Sequence, residues 1–307
     1  MKADLHVHSS YSLDVPLIPE FSPRALYNRA VARGMGFFTL TDHDTMDGIE
    51  ELRRNLAASY AGRPPIPVVS GVELKVFDPA VGHTIHINVL GLTRSQLKGL
   101  KKRRNDLRRF TTYCRAQKLF HTYNHPLWFE HGERASIVTV ERAMDLFPVV
   151  ELNAGRIHEL NARTAELARR NGKRLIASSD THVGQVGKSY TQVAAAASPE
   201  EFLMGVLAGR AECHPSHFRF REFVREISEA VDLWLRRMSV PVQRRRPPSG
   251  KLDRYWLVHR ILGRRVLNWW VPRNTLAVLL KLAARATTYA FMRQQRRMLL
   301  RLGEAGS

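Results

Sequence analysis

Apolar and polar positions alternate with a period of two at the start of the chain. In an extended segment Leu5 and Val7 fall on one side and His6 and His8 on the other. The period then changes to that of a helix. Ser22 precedes Pro23, and Ala25, Leu26, Ala30 and Val31 recur at helical spacing up to Gly34 and Gly36, which predicts a capped helix closed by glycine. Phe37-Phe38-Thr39-Leu40-Thr41 has the length of a buried strand, and a helical stretch follows from about Asp47 to Tyr60. Further strand-length runs lie at Pro67–Glu73, Thr84–Gly91, Phe120–Tyr123, Val149–Asn153 and Lys173–Ala177. Between them the spacing predicts helices over Ser95–Lys118 and over 159–171, and Ser198-Pro199-Glu200-Glu201 opens another with a cap, a proline and two acids. Strands alternating with helices, each strand followed by polar residues, predict a parallel, barrel-like α/β fold with its site at the C-terminal ends of the strands.

The polar residues at those ends are of one kind. They include His6, His8, Asp14, Asp42, His43, Glu73, His86, His125, Asp180 and His182. Random placement would bring Ser, Asn, Lys and Gln as often. Imidazole and carboxylate without thiolate suit Mn, Zn or Fe in an open site better than a closed structural zinc site. The donors outnumber what one tetrahedral ion needs, so two or three divalent ions are expected, with Glu73 able to bridge two of them. Asp42 has two readings, orienting an imidazole from behind or capping the turn that follows it. Arg156 and His158 either grip a substrate phosphate, Arg156 through its bidentate fork, or form an exposed loop pair. Glu151 reads as a residue at the strand ends bonded to a neighbour, His83 as a turn residue outside the ligand set, and His214 and His217 as part of a chain crossover.

The runs Asp4-Leu5-His6-Val7-His8-Ser9, Thr41-Asp42-His43-Asp44-Thr45, Gly71-Val72-Glu73, Asn124-His125-Pro126 and Ser179-Asp180-Thr181-His182, in this order, resemble the motifs of the PHP (polymerase and histidinol phosphatase) family. The resemblance spans about residues 1–217. It implies a distorted seven-stranded (β/α) barrel and a trinuclear metal site that hydrolyses phosphoesters. It also implies ligand sets: His6, His8, Glu73 and Asp180 for one ion, Glu73, His86 and His125 for a second, and His43, His182 and Asp14 for a third. Asp42, His43, Glu73 and Asp180 are then the candidate catalytic residues. The expected reaction is hydrolysis of a phosphomonoester or nucleotide phosphate by a metal-activated water. The alternatives are a nuclease acting on RNA or DNA ends and a non-catalytic barrel that serves as a scaffold.

Charge changes the picture only at the end of the chain. The net charge is +20, and residues 239–307 carry 15 Lys and Arg against 2 Asp and Glu. From residue 218 the chain reads as a basic helical extension, with Phe220, Phe223, Val224, Ile227, Val231, Trp234, Leu235 and Met238 on one helical face and a linker at about 239–250. Tyr255, Trp256, Trp269 and Trp270 then mix with Arg260, Arg264, Arg265 and Arg273. Such helices dock on the barrel, lie on an anionic membrane surface or bind nucleic-acid phosphates. No uncharged apolar run approaches the roughly 18 residues of a spanning helix. Cys114 and Cys213 lack metal or redox spacing, and no signal peptide is read at the start, so a cytoplasmic protein, peripheral to a membrane in one reading, is expected.

Overall fold

The computed structural model describes residues 1–130, 133, 136–237 and 273–304. In chain order the elements are β1 (Lys2–Ala3), α1 (Pro23–Ala32), β2 (Phe38–Thr39), α2 (Asp47–Tyr60), β3 (Val68–Val69), β4 (Gly71–Phe77), β5 (Thr84–Leu90), α3 (Arg94–Lys101), α4 (Leu107–Ala116), β6 (Phe120–Tyr123), α5 (Ile137–Met144), β7 (Val149–Asn153), α6 (His158–Arg170), β8 (Arg174–Ser178), β9 (Tyr190–Val193), α7 (Pro199–Leu207), β10 (Ala211–His214), α8 (Phe220–Arg237) and α9 (Arg273–Glu304). The linker at 239–250 and Met238, Tyr255, Trp256, Arg260, Arg264, Arg265, Trp269 and Trp270 lie outside the described residues.

The main sheet runs in the order β4-β5-β6-β7-β8, flanked by a three-stranded sheet β1-β9-β10 and a parallel pair β2-β3. The ladders do not close into one sheet. Isolated bridges, Val7 with Thr181 and His43 with Glu73, join the gaps. The expected all-parallel arrangement is replaced over half the main sheet, because β4, β5 and β6 pair antiparallel and only β6, β7 and β8 are parallel. The link between β4 and β5 is a six-residue turn, too short for the crossover that parallel pairing demands.

The first histidine segment is extended but forms no ladder of its own. Its backbone donors are taken by side chains: Val7 N–H donates to Thr41 Oγ1 at 3.1 Å and Ser9 N–H to Asp42 Oδ1 at 2.6 Å. Single backbone bonds, Thr41 N–H to Val7 O (2.9 Å) and His8 N–H to Thr181 O (3.2 Å), wedge the segment between the ends of β2 and β8. The alternation survives, since Leu5 and Val7 enter the two apolar clusters while His6 and His8 face the other way. At the start of β4, Gly71 makes the approach of β2 feasible: a Cβ there would stand 2.5 Å from Leu40 O.

The single helix expected over Ser95–Lys118 is two helices. A Thr93/Gln96 capping box starts α3, and Asp106 accepts from Arg109 N–H at 2.8 Å to start α4, so the break falls on the dense basic stretch at Lys101–Arg104. At the other end of the chain, α8 and α9 pack on one another and on the main body. Phe218, Phe223 and Phe291 form an aromatic cluster with centroids 5.0–6.0 Å apart. Gln295 is fully buried, accepting from Ile157 N–H (2.9 Å) and donating to Gly155 O (3.1 Å). No helix among the described residues is long and apolar enough to cross a membrane.

Candidate metal centre

Strand ends converge on Glu73. Its carboxylate is buried in β4 and lies 2.9 Å from His43 Nδ1, 3.2 Å from His86 Nδ1 and 3.6 Å from His125 Nε2. His6 Nε2 and His8 Nε2 each lie 3.5 Å from it and 3.2 Å from Asp180 Oδ1. On the outer side, Asp14 Oδ2 sits 3.1 Å from His43 Nε2 and 3.0 Å from His182 Nε2. Donor atoms form three groups within which all lie inside 4.8 Å of one another: His6, His8 and Asp180; Glu73, His86 and His125; and His8, His43 and His182. The structure therefore brings His6, His8, Asp14, His43, Glu73, His86, His125, Asp180 and His182 together, although they come from positions spread over more than half the chain. His125 and Asp180 take positive φ, 31° and 50°, where the chain leaves β6 and β8. That conformation is rarely adopted outside glycine and turns both side chains inward.

The arrangement fits cations. His6 Nδ1 lies 2.7 Å from Glu151 Oε1, which can only accept, so the proton sits on Nδ1 and Nε2 presents a lone pair. That lone pair faces His8 Nε2 at 3.0 Å and two carboxylates, a meeting of electron pairs that a shared cation, whether a proton or a metal ion, resolves. His43 Nδ1 likewise turns toward a carboxylate, lying 2.9 Å from Glu73 Oε2. Electrostatics agree in sign. Burial opposes charge on His6, yet Asp180, Glu151 and Glu73 raise its pKa well above the usual imidazole value, so the pocket attracts positive charge. Burial would raise the pKa of Glu73, but His6, His43 and a bond from His125 hold it well below the usual carboxylate range. His8 is neutral, pushed down to about 3 by burial and by the neighbouring His182 and His43. A neutral imidazole is the form a metal binds.

A second row of side chains fixes the first. Glu151 also accepts from Ser178 Oγ (2.7 Å), Asn153 Nδ2 (2.9 Å) and His125 N–H (3.1 Å). Asp42 does not reach the cavity. It is buried behind it, accepts from Ser9 and from Ser12 Oγ (3.1 Å), and Ser12 Oγ in turn lies 3.0 Å from His8 Nδ1. Burial, opposed by those donors, pushes the Asp42 pKa up to about 6. Asp42 therefore reaches His8 only through Ser12. His83 is buried apart from the cluster, 3.0 Å from Tyr123 Oη.

Above the cluster opens a cavity of about 790 Å³, whose walls include Arg156, Trp128, Lys75, Glu130, Phe223 and Phe291. Arg156 lies with its guanidinium 4.3 Å from the Trp128 ring and 5.8 Å from Phe291, and its buried Nε has no hydrogen-bond partner. His158 is not brought there. As the first residue of α6 it is exposed, its ring edge-on to His217 at 4.7 Å. Four contributors escaped the sequence reading: Trp128; Asn124, whose Nδ2 donates to Glu73 Oε1 at 2.9 Å; Asn153, whose Nδ2 donates to Asp180 Oδ2 at 3.0 Å; and Glu130, 3.4 Å from His86 Nε2. The asparagines stand at the ends of β6 and β7, where strand-end position was the available signal.

Residues 4–230 match the PHP domain. The chain belongs to the PHP domain family. Its match extends into α8, past residue 217. Among curated relatives, a 3',5'-nucleoside bisphosphate phosphatase of Chromobacterium violaceum is 40% identical over 89 residues, 29% of this chain and 27% of that protein. A 5'-3' exoribonuclease of Haemophilus influenzae is 37% identical over 97 residues, 32% of this chain and 31% of that one. The chain thus spans about a third or less of the length of these relatives. Among solved structures, PsfC from Pseudomonas syringae shares the fold at a TM-score of 0.50 and 16% identity, over 76% of this chain and 97% of that one. An amidohydrolase from Chromobacterium violaceum, with bound sulfate and no metal, gives a TM-score of 0.48 and 19% identity, over 68% of this chain and 97% of that one. In the PHP domain of this chain, every residue of the five motifs named above that bears an imidazole or carboxylate toward the cavity belongs to the cluster around Glu73.

Proposed function

We propose that this PHP protein is a metal-dependent phosphoesterase that hydrolyses a phosphomonoester or nucleotide phosphate with the help of two or three divalent ions. The observation that supports it is the convergence of six imidazoles and three carboxylates beneath one cavity. In this reading His6, His8, Glu73 and Asp180 hold one ion, Glu73, His86 and His125 a second, and His43, His182 and Asp14 a third. The donors are nitrogen and oxygen throughout, which suits Mn, Zn or Fe. When bound, such ions lower the pKa of water to supply a nucleophile near neutral pH and neutralise the ester's anionic oxygens. The chain's own residues do the rest. Glu151 keeps the His6 proton on Nδ1, and Asp42 steadies His8 through Ser12. Arg156, which lines the cavity with Nη2 4.0 Å from Asp180 Oδ2, is the phosphate anchor, braced by the Trp128 ring. The distorted seven-stranded barrel belongs to the same reading, which the three sheets and the two isolated bridges between them support. Residues 218–307 are the extension to it.

The nuclease alternative draws on the exoribonuclease relative and on the basic stretch near Lys101. Within that stretch Arg103 stacks on Tyr113 at 4.3 Å and donates to Gly99 O, and Arg104 pairs with Asp44, so two of its cations are engaged within the fold. We therefore favour the phosphomonoesterase. The test is to load the purified protein with Mn²⁺, measure bound metal, and assay phosphomonoesters, nucleoside bisphosphates and short RNA. Metal binding that His6→Ala abolishes, together with hydrolysis of a phosphomonoester, is expected. Protein that binds metal no better than His6→Ala and cleaves none of these substrates would exclude the reading.

A further inference from the structure

The geometry points to a substrate that is amphiphilic: a phosphate monoester carrying an apolar chain. This rests on the phosphoesterase reading above and narrows it. The cavity is much larger than a phosphate group requires; its volume of about 790 Å³ falls in the upper part of the roughly 300–1,000 Å³ range of sites that enclose whole small molecules. Its two ends differ in kind. The floor is the imidazole and carboxylate cluster, with Arg156 beside it. The roof is made by Phe223, Ile227, Ala230 and Val231 of α8 and by Leu280 and Phe291 of α9. A phosphate held by Arg156 and the floor leaves the remainder of its molecule against that roof. Four of the six roof side chains are aliphatic or a methyl group, and the other two, Phe223 and Phe291, lie nearly parallel to one another at 6.0 Å, so the six offer a large apolar area and no hydrogen-bond partner, with Gln294 the neutral amide beside them. Glu226, on the same wall, is already bound to Lys188 at 2.6 Å. A hydrocarbon chain loses nothing against such a surface and gains by leaving water.

The outer side of α9 supports the same chemistry. Val278, Leu279, Leu282 and Tyr289 are each more than half exposed. Val278, Leu282, Arg285, Tyr289, Arg293 and Arg296 follow at intervals of three and four residues, and the three arginines are exposed as well. An apolar and cationic stripe beside an apolar cavity suits a molecule with a hydrocarbon tail and an anionic head, whether dissolved singly or presented in a bilayer.

The experiment is a homologous series, from ethyl to decyl phosphate, given to the full-length Mn²⁺-loaded protein below micellar concentration, with adenosine 3',5'-bisphosphate as comparator. Binding is followed in parallel by calorimetry on the same metal-loaded protein. Each added methylene is expected to raise kcat/KM and tighten Kd by up to about fourfold, the free energy of burying one CH₂, until the roof is covered. Ile227→Ser combined with Leu280→Ser is expected to flatten that slope; should the variant fail to fold, the wild-type series decides alone. A flat series in both rate and binding, or preference for the bisphosphate over decyl phosphate, overturns the inference. Hydrolysis without length dependence overturns it while leaving the phosphoesterase reading in place. Length-dependent binding without hydrolysis removes the phosphoesterase reading and overturns the substrate inference with it. Turnover of decyl phosphate embedded in phosphatidylcholine vesicles assigns the source to a bilayer, and turnover confined to the monomeric ester assigns it to solution; either outcome supports the inference.

Discussion

On the floor of the cavity the side chains are buried, charged and tied to fixed partners; on its roof they are apolar, half-buried and held by packing. Glu73 alone has five imidazoles within 3.6 Å, and the rings behind it are fixed in turn by Glu151 and Ser12. The roof has few polar contacts to set its position, Gln295 to the α6 entrance and Lys281 to Asp232 at 2.8 Å among them. The difference teaches that, on the proposed reading, reactivity and selectivity would reside in separate layers of this molecule. The floor is determined by atoms whose misplacement by an ångström removes a ligand, whereas the roof tolerates changes of shape that conserve volume.

The sharpest way to break that division is Glu73→Gln. It is expected to abolish high-affinity metal uptake, measured by elemental analysis, and to lower kcat/KM on the order of 10³-fold, several kcal/mol of charge stabilisation at about 1.4 kcal/mol per decade. Full metal content in the variant would contradict the role of Glu73 as a bridge. Arg156 stands where floor meets roof. Arg156→Ala is expected to raise KM about 10–100-fold, the loss of a charge-assisted bond, with less effect on metal content. An unchanged KM would place the phosphate elsewhere. Gln295→Ala tests the roof by itself. It leaves the Ile157 N–H and Gly155 carbonyl without partners and is expected to lower stability by about 1–3 kcal/mol in denaturant unfolding, with metal content preserved.

The smallest effect is one of pH. In the metal-free protein burial depresses the His182 pKa, but Asp14 and Asp180 outweigh it and raise it to about 9. A folded-state value above the unfolded one means stabilisation that is complete below the unfolded value and is lost as pH rises through about 9. His182→Asn should therefore show a shallower loss of thermal stability between neutral pH and pH about 9 than the wild type, both measured in chelator. Parallel curves would mean that His182 carries no such linkage.

The same division explains how much could be read from the sequence. Much of the floor was legible because its residues stand at or within runs with a clear period: His125 after β6, Asp180 after β8, Glu73 and His86 inside β4 and β5, and His6 and His8 at alternate positions of an extended segment. What surrounds these runs was harder. Strand β10, Ala-Glu-Cys-His, alternates over only four residues, too short a run to stand out, and its identity comes from pairing with β9, far from it in any local window. The helix break before α4 is set by Asp106, a single cap inside a stretch whose spacing is otherwise continuous. His158 looked like a partner for Arg156 because they are two residues apart. The start of α6 separates them, turning one toward the cavity and the other outward. The roof was least legible, since an amphipathic period shows that α8 has a face to bury but not that part of this face will look onto the metal cluster.

Strand β4 and its neighbour also act as a ruler. Glu73 pairs with Asn88 and Lys75 with His86, so Glu73 and His86 emerge diagonally adjacent on one side of the hairpin. A one-residue slip would reverse both sides of the strand and carry Glu73 away from His6, His43 and His125 together. Insertions are therefore tolerable in the turn between the strands but not within them, and a lineage that lengthens this hairpin by a single residue in β4 would take apart the whole donor cluster in one step.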